Sequence, residues 1–197
     1  LKMPKKRKKA AKKTKKKAMV KQEILTGIVQ SEVVEAYRKT NIYKLNTFYN
    51  HYYHEQFIQY KPVIEEYFNL ALTLSTDVQV LEYKKGYFYV KHADDSSEII
   101  DKNGQTIGFK SVASQRKLST VLFASTHASH AHQGTPNFSG GELMFNYLYT
   151  KDGKAVKIKP EAGDMVIFPS NPYFSHEVLA VEEGYRLTLV QWHDAIY

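Results

Sequence analysis

The spacing of apolar residues changes once along the chain, near residue 76. Between residues 19 and 75, apolar side chains recur mostly at helical spacing. Ser31, ahead of the run 32–37, predicts the capped start of a helix. A second helix is predicted with Pro62 in its first turn, a position that proline favours. We interpret the apolar stripes of these N-terminal helices as faces that pack on a sheet.

From residue 78 onward the apolar period is two, which is typical of strands. Turn signals such as Lys151-Asp152-Gly153 separate the β-rich runs. The predicted strands are 78–83, 87–91, 118–124, 142–148, 155–159, 165–168, 177–181 and 185–192. The pattern therefore predicts a mainly β fold, a double-stranded β-helix (jelly roll) of about eight strands, with N-terminal helices packed on one sheet.

Charge divides the chain into two parts. Residues 1–22 hold twelve of the 28 Lys and Arg and none of the 20 Asp and Glu. The remaining chain therefore has sixteen basic and twenty acidic residues, a net charge of about −4, although the whole chain carries +8. We predict a basic, disordered tail over residues 1–22 and one folded domain over residues 23–197.

The lysine-rich tail predicts contacts with polyanions. Residues 2–17 are suited to nucleic acid or another polyanion through phosphate contacts, and residues 4–8 resemble a short nuclear-import signal. An equally weighted interpretation is a solvated extension that precedes a start at Met19.

Several classes of protein are excluded by composition. The chain has no cysteine, so disulfides, thiolate metal sites and cysteine nucleophiles are absent. No run of 18 apolar residues predicts a membrane span, and no apolar stretch predicts a secretory signal. We expect an intracellular protein, cytoplasmic or, in a eukaryotic host, nuclear. The sequence does not decide the oligomeric state.

His92 and Asp94 are the first candidates for chemistry. Residues two apart on a strand point to the same face, so this imidazole and this carboxylate can converge on one metal ion. A second histidine from a distant strand would complete the two-histidine, one-carboxylate set of non-haem iron sites.

His176 and Arg186 strengthen this hypothesis. His176 lies between the apolar runs 163–169 and 177–181, and Arg186 follows ten residues later on a largely apolar strand. A buried arginine is costly unless it is paired, and a dicarboxylate that also binds the metal would pair it. By the period of two, Thr188 and Trp192 lie on the same strand face, and core packing is an alternative role for Trp192.

Five segments occur in the order typical of one family. Together they resemble the prolyl 4-hydroxylase-like branch of the Fe(II)/2-oxoglutarate-dependent oxygenase superfamily, over roughly residues 25–194. The segments are 80–94, 116–123, 138–143, 159–170 and 176–192. Residues 140–142 (Gly-Gly-Glu) match a family signature, which we interpret as geometry at the start of a strand and not as catalysis.

The resemblance implies a role for each candidate residue. His92, Asp94 and His176 would bind Fe(II), and Arg186 would bind the distal carboxylate of 2-oxoglutarate (2OG). Tyr83 would donate its hydroxyl to the cosubstrate. Such enzymes use O₂ to oxidise 2OG to succinate and carbon dioxide while they hydroxylate a C–H bond, and ascorbate commonly keeps their iron reduced.

The resemblance also implies a protein or peptide substrate, with a prolyl residue as the first expectation. A small molecule or a nucleobase remains an alternative for the same class of enzyme. The long polar stretches 95–115 and 125–137 are predicted to be loops that shape the substrate entrance.

Two other hypotheses use different residues. A cupin-type metalloprotein would use His130 and His132, yet no glutamate follows within a few residues, so we interpret them, with His127, as part of a flexible loop. A non-catalytic nucleic-acid-binding protein would use the tail. This hypothesis predicts that a metal ligand or the arginine has been lost, yet His92, Asp94, His176 and Arg186 are all present.

Overall fold

The structure is a computed structural model that describes residues 25–34, 37–131 and 136–197, with side chains described from residue 37 onward. The predicted tail lies outside these residues. The first elements along the chain are β1 (Leu25–Val34), β2 (Arg38–Leu45), α1 (Thr47–Phe68), β3 (Ala71–Ser75), β4 (Gln79–Lys84) and β5 (Tyr89–His92). Next come β6 (Ser96–Ile100), β7 (Thr106–Ser111), β8 (Arg116–Phe123), β9 (Thr126–His127) and β10 (Asn137–Gly140). The chain ends with β11 (Leu143–Tyr149), β12 (Ala155–Ile158), β13 (Met165–Pro169), a short 3-10 helix (Pro172–Phe174), β14 (His176–Val178) and β15 (Val181–Ile196).

The mainly β class and the jelly-roll arrangement are confirmed. Among the described residues, thirteen strands form one curled sheet, and β6 and β7 form a separate two-stranded sheet. On one side of the curl, β12, β11, β14 and β5 are neighbours in that order. On the other side, β15 pairs with β4, β8, β3 and β10, and β8 also pairs with β13. Buried side chains from both sides meet in one core that includes Phe123, Phe145 and Val190.

The helical prediction for residues 19–75 is wrong for β1, β2 and β3, which occupy parts of this range, and for the start of the helix that contains Pro62. The predicted helix start at Ser31 lies within β1, which pairs antiparallel with β2 and places Ser31 opposite Asn41. Pro62 does not begin a helix but lies inside α1, which starts at Thr47. A single helix therefore stands among the described residues where two were predicted.

Capping residues explain the bounds of α1. The Asn46 side chain accepts a hydrogen bond from the Tyr49 N–H at 2.9 Å, which satisfies one of the free donors of the first turn. Asn69 ends the helix in the left-handed conformation with φ 51°. The buried face of α1 (Tyr53, Phe57 and Ile64) packs against a second core cluster with side chains from β3, β8 and β15, as the predicted packing of a helix on one sheet requires. No helix in the described part of the chain is long and apolar enough to span a membrane.

The polar stretch 95–115 is not a loop throughout. It contains β6 and β7, which pair antiparallel with Glu98 opposite Phe109. The carboxylate of Asp101 accepts hydrogen bonds from the backbone N–H groups of Asn103 and Gln105, both at 2.8 Å, and so closes the hairpin turn. The stretch 125–137 likewise contains β9 and the start of β10, and residues 132–135 lie outside the described part.

Two close backbone approaches bring β10 and β11 against β15. The sequence predicted a break between two strands at residues 182–184. The structure has one continuous strand there, and Gly184 lies inside β15 with φ 71°. A Cβ there would lie 2.2 Å from the carbonyl oxygen of Asn137. A Cβ on Gly141 would lie 2.8 Å from Val181 and 3.5 Å from the Cδ of Arg186. The paired glycines at 140 and 141 thus allow the start of β11 to pack directly behind Arg186.

Candidate metal centre

His92, Asp94 and His176 come together at one point of the fold. His92 ends β5 and His176 begins β14, and the two are opposite each other in the antiparallel pairing. One ligand atom of each of the three residues lies within 4.8 Å of the others. The Nε2 atoms of His92 and His176 lie 3.7 and 3.9 Å from the two carboxylate oxygens of Asp94. It is the single such group of three metal-binding side chains in the described part of the chain.

Backbone carbonyls orient both imidazoles in the same way. Nδ1 of His92 donates to the carbonyl of Val90 at 2.9 Å, and Nδ1 of His176 donates to the carbonyl of Phe174 at 3.0 Å. Since a carbonyl only accepts, the proton of each neutral ring is on Nδ1, and the Nε2 lone pair faces Asp94. This is the tautomer that a metal ligand requires.

Burial and charge favour the metal-binding protonation states of His92 and Asp94. Burial, followed by the charge of a protonated His176, lowers the pKa of His92 to about 3 although Asp94 acts in the opposite direction, so the His92 ring is neutral near pH 7. Burial raises the pKa of Asp94, but His176 and His92, whenever they carry a proton, and a hydrogen bond from Ser119 lower it more, and the net direction is down. Two imidazoles and one carboxylate form the donor set that fits Fe(II).

The Asp94 carboxylate is held by residues that the sequence analysis missed. Ser119 on β8 donates to Asp94 Oδ2 at 2.5 Å, and its hydroxyl lies 2.8 Å from that of Ser170. The carbonyl of Ser170 also accepts from the backbone N–H of Asp94 at 3.2 Å. These contacts join positions 25 and 51 residues apart, which no local pattern in one sequence could have indicated.

Two further residues that the sequence analysis missed pack around the metal centre. The ring of Tyr89 stacks on His92 with 3.7 Å between centroids. Arg116 donates to the carbonyl of Asp94 at 3.0 Å, and its guanidinium lies 4.6 Å from the ring of Trp192. The stacking and this hydrogen bond restrict the orientation of the segment that carries His92 and Asp94.

Arg186 lies inside the fold, as predicted from its apolar strand. It is 2% exposed, and burial lowers its pKa to about 10. Its guanidinium donates to Oγ1 of Thr188 at 3.2 Å and lies 5.2 Å from the ring of Tyr83 and 5.1 Å from that of Phe123. Its Nε has no hydrogen-bond partner, and among the described residues no carboxylate contributes to its pKa. The buried N–H of Arg186 Nε is an unsatisfied hydrogen-bond donor, and an anionic ligand would satisfy it.

One cavity of about 700 Å³ joins the three metal-binding side chains to Arg186. Tyr83, which is 1% exposed, lines this cavity, and so do Val190 and Trp192 from β15. Thr188 is fully buried behind this lining and contacts Arg186 by the hydrogen bond between them. Arg186, Tyr83 and Trp192 thus share one cavity, Thr188 does not line it, and the roles of all four stay a prediction.

Neither His127 nor His130 belongs to a group of metal-binding side chains in the described part of the chain. His127 lies in β9, where its Nε2 is 3.4 Å from a carboxylate oxygen of Glu142 and its ring meets Phe138 edge to face. His130 is exposed, and His132 lies outside the described residues. His127 is therefore held in a strand and not in the flexible loop that was predicted.

A jelly roll that carries two histidines and one carboxylate toward a cavity defines the class of non-haem iron oxygenases. A family model described as the 2OG-Fe(II) oxygenase superfamily matches residues 78–194. The chain belongs to this superfamily. Comparison with curated protein sequences gives no significant match.

Solved structures with the same fold include three prolyl hydroxylases. A Pseudomonas putida prolyl-4-hydroxylase is 23% identical with a TM-score of 0.55, and the match covers 94% of this chain and 83% of that one. A Trichoplax adhaerens prolyl hydroxylase, solved in complex with a hypoxia inducible factor oxygen degradation domain peptide fragment, is 16% identical with a TM-score of 0.55 over 90% and 73%. The viral collagen prolyl hydroxylase of Paramecium Bursaria Chlorella virus-1, solved as a 2OG complex, is 17% identical with a TM-score of 0.56 over 86% of each chain. At these identities the likeness shows the fold alone.

Proposed function

We propose that the protein is an Fe(II)- and 2OG-dependent dioxygenase that hydroxylates an unactivated C–H bond, with a prolyl residue of a protein or peptide as its substrate. His92, Asp94 and His176 hold the iron. When bound, the iron supplies the activation of O₂ that protein side chains cannot provide. The Nδ1 hydrogen bonds of both histidines and the Ser119 hydroxyl keep the three ligands directed at one point.

The observation that carries this proposal is the buried, unpaired guanidinium of Arg186 in the same cavity as the three ligands. A dicarboxylate such as 2OG has one carboxylate for the metal and a second for Arg186. The second would form two parallel charge-assisted hydrogen bonds with the guanidinium. Membership of the 2OG-Fe(II) oxygenase superfamily supports the same ligand.

Three further side chains have supporting roles in this proposal. Thr188 holds the Arg186 guanidinium through its hydroxyl, and Tyr83, whose ring lies 5.2 Å from that guanidinium, would donate its hydroxyl to the cosubstrate. Trp192 lines the cavity next to Arg116 and would form a wall around the cosubstrate. Together they exclude water from the space that the cosubstrate occupies.

The prolyl substrate is supported by the neighbours of similar fold, which are prolyl hydroxylases, one of them solved with a peptide. The cavity is lined by side chains of β5 and β6, which would give an extended chain polar and apolar surface to cross. Ascorbate is proposed as the reductant that restores Fe(II) after uncoupled turnover.

Calorimetry without turnover tests the proposal. Under anaerobic conditions the full chain, loaded with Fe(II), should bind 2OG with one site per chain. Succinate, which has two carboxylates but no 2-oxo group to chelate the metal, should bind more weakly. Equal binding of 2OG to the metal-loaded protein and to the metal-free protein would contradict a cosubstrate that spans the metal and Arg186.

A further inference from the structure

A cleft with aromatic walls lies beside the mouth of the site. It has a volume of about 680 Å³ and is lined by Phe109 on β7, Tyr147 on β11, and Asn171, Pro172 and Tyr173 at the 3-10 helix. Tyr147 is 41% exposed and Tyr173 is 79% exposed, so both rings face solvent. We call these five residues the aromatic cleft. No charged side chain lines it, and none of its residues belongs to the metal centre.

One ion pair separates the aromatic cleft from the site cavity. Lys91 and Glu98 both line the cavity, and Nζ of Lys91 lies 2.8 Å from Oε1 of Glu98. The same Nζ lies 5.4 Å from the ring centroid of Tyr147 and 3.3 Å from its hydroxyl. Glu98 is directly opposite Phe109 in the β6–β7 pairing, so their side chains share a face. The cavity and the aromatic cleft are therefore adjoining parts of one surface.

The lining of the aromatic cleft favours one kind of ligand. Grooves of aromatic rings bind proline-rich segments in the polyproline II conformation, since the rigid rings of proline pack on aromatic faces. The backbone carbonyls of such a segment have no internal hydrogen bonds, so they can accept from tyrosine hydroxyls and from an asparagine amide. No charged side chain lines the cleft, and Lys91 beside it is already paired with Glu98, which argues against a phosphorylated or acidic ligand that would need arginine or lysine.

We propose that the aromatic cleft binds an extended, proline-containing segment of the substrate, a few residues away from the residue that is hydroxylated. The inference rests on the proposed function, because it takes the site cavity as the place of reaction. A polyproline II chain advances about 3.1 Å per residue. A segment that crosses the Lys91–Glu98 pair therefore reaches the aromatic cleft within a few residues of the cavity.

Peptide binding without turnover tests this inference. The probes are a fluorophore-labelled peptide of ten prolines and a Gly-Ser peptide of equal length, each titrated with the full chain and followed by fluorescence anisotropy. Tyr173→Ala and Tyr147→Ala should each weaken binding of the proline peptide about three- to tenfold, the loss expected for one aromatic contact. Tyr67→Ala removes a similarly exposed tyrosine (81%) from α1, far from the cleft in sequence, and should leave the affinity unchanged.

Several results would overturn the aromatic cleft as a subsite. The first is equal binding of the two peptides, and the second is an undiminished affinity of the Tyr173→Ala variant for the proline peptide. The third is self-association of the parent protein that the Tyr173→Ala variant lacks, because the cleft would then be an interface between copies of the chain. Anaerobic calorimetry with 2OG on the same samples separates the two proposals. If the proline peptide binds at the cleft and 2OG does not bind, the proposed function fails; if 2OG binds and the peptide does not, the cleft fails.

Discussion

A guanidinium that is 2% exposed and lacks a carboxylate partner destabilises the folded protein unless an anion joins it. Arg186 meets this description within the described part of the chain, and burial lowers its pKa only to about 10, so it stays charged near pH 7. The sequence predicted its burial because Leu187, Leu189 and Val190 surround it on one strand. The lack of a hydrogen-bond partner for its Nε could be found only in the structure.

Substitution of Arg186 should separate cosubstrate binding from metal binding. Arg186→Ala should weaken 2OG binding by about 30- to several-thousand-fold, the loss of a partly buried charge-assisted pair worth on the order of 2–5 kcal/mol. Arg186→Lys should be intermediate, because a point charge cannot copy the planar fork. Calorimetry with Mn(II) in place of Fe(II) measures both affinities, and the metal affinity is the internal control. An Arg186→Ala variant that binds 2OG as tightly as the parent would place the anchor elsewhere.

Removal of any one metal-binding side chain should abolish metal binding and succinate formation. His92→Ala, Asp94→Ala and His176→Ala each leave two ligands of a three-ligand set. Metal content after desalting and succinate yield are the measurements, and circular dichroism checks the fold. His130→Ala is the matched control, since His130 is exposed and outside the cluster. Loss of activity in that variant, with activity retained in His92→Ala, would favour the cupin-type hypothesis instead.

At the scale of elements, the period of two predicted the strands that carry the site. The predicted runs 78–83 and 185–192 match β4 and the centre of β15 closely. The pattern around Ser31 failed because a short run with alternating charge and apolar residues is compatible with either helix or strand, and pairing with β2 decides between them. The β6–β7 hairpin was missed because its strands are short and polar, and only the turn at Asn103-Gly104 signals it.

His193 joins the helix to the sheet and should make stability depend on pH. Its ring stacks on Phe57 of α1 at 4.6 Å, and its nitrogens contact the hydroxyls of Ser75 and Thr120 at 2.8 and 3.0 Å. Burial lowers its pKa to about 4, so the neutral ring is favoured in the folded state. Between pH 6.5 and pH 4 the unfolded chain binds the additional proton, and the stability that His193 contributes is therefore lost as the pH falls through this window.

Urea unfolding of the metal-free protein at pH 7 and at pH 5 measures this effect. The parent should lose about 1–2 kcal/mol more on acidification than His193→Gln, which keeps polar contacts but does not titrate. His130→Gln, which replaces an exposed histidine outside the contacts of His193, is the control and should lose as much stability on acidification as the parent. Identical losses for parent and His193→Gln would show that another group sets the acid sensitivity.

At the scale of the whole molecule, the charge is segregated between residues 1–22 and the remaining chain. The sequence alone establishes this division, and the role of the tail stays a prediction. A chain that begins at Met19 should keep its 2OG turnover and lose salt-sensitive binding to nucleic acid, because lysine–phosphate contacts release counterions. Fluorescence anisotropy with a labelled oligonucleotide at two salt concentrations measures the loss. An oligonucleotide affinity that is unchanged after truncation would show that the tail does not bind nucleic acid.

The coupling of 2OG oxidation to hydroxylation tests the central claim most directly. The protein is purified without oxygen, loaded with Fe(II) and 2OG, and then exposed to O₂ with host proteins and proline-rich peptides. Mass spectrometry should find a product heavier by one oxygen atom on a prolyl residue, with succinate formed in matching amount and ascorbate sustaining the reaction. No succinate above the level of the Asp94→Ala variant would contradict the account of the site; succinate with a product oxidised elsewhere than on proline would contradict the substrate alone.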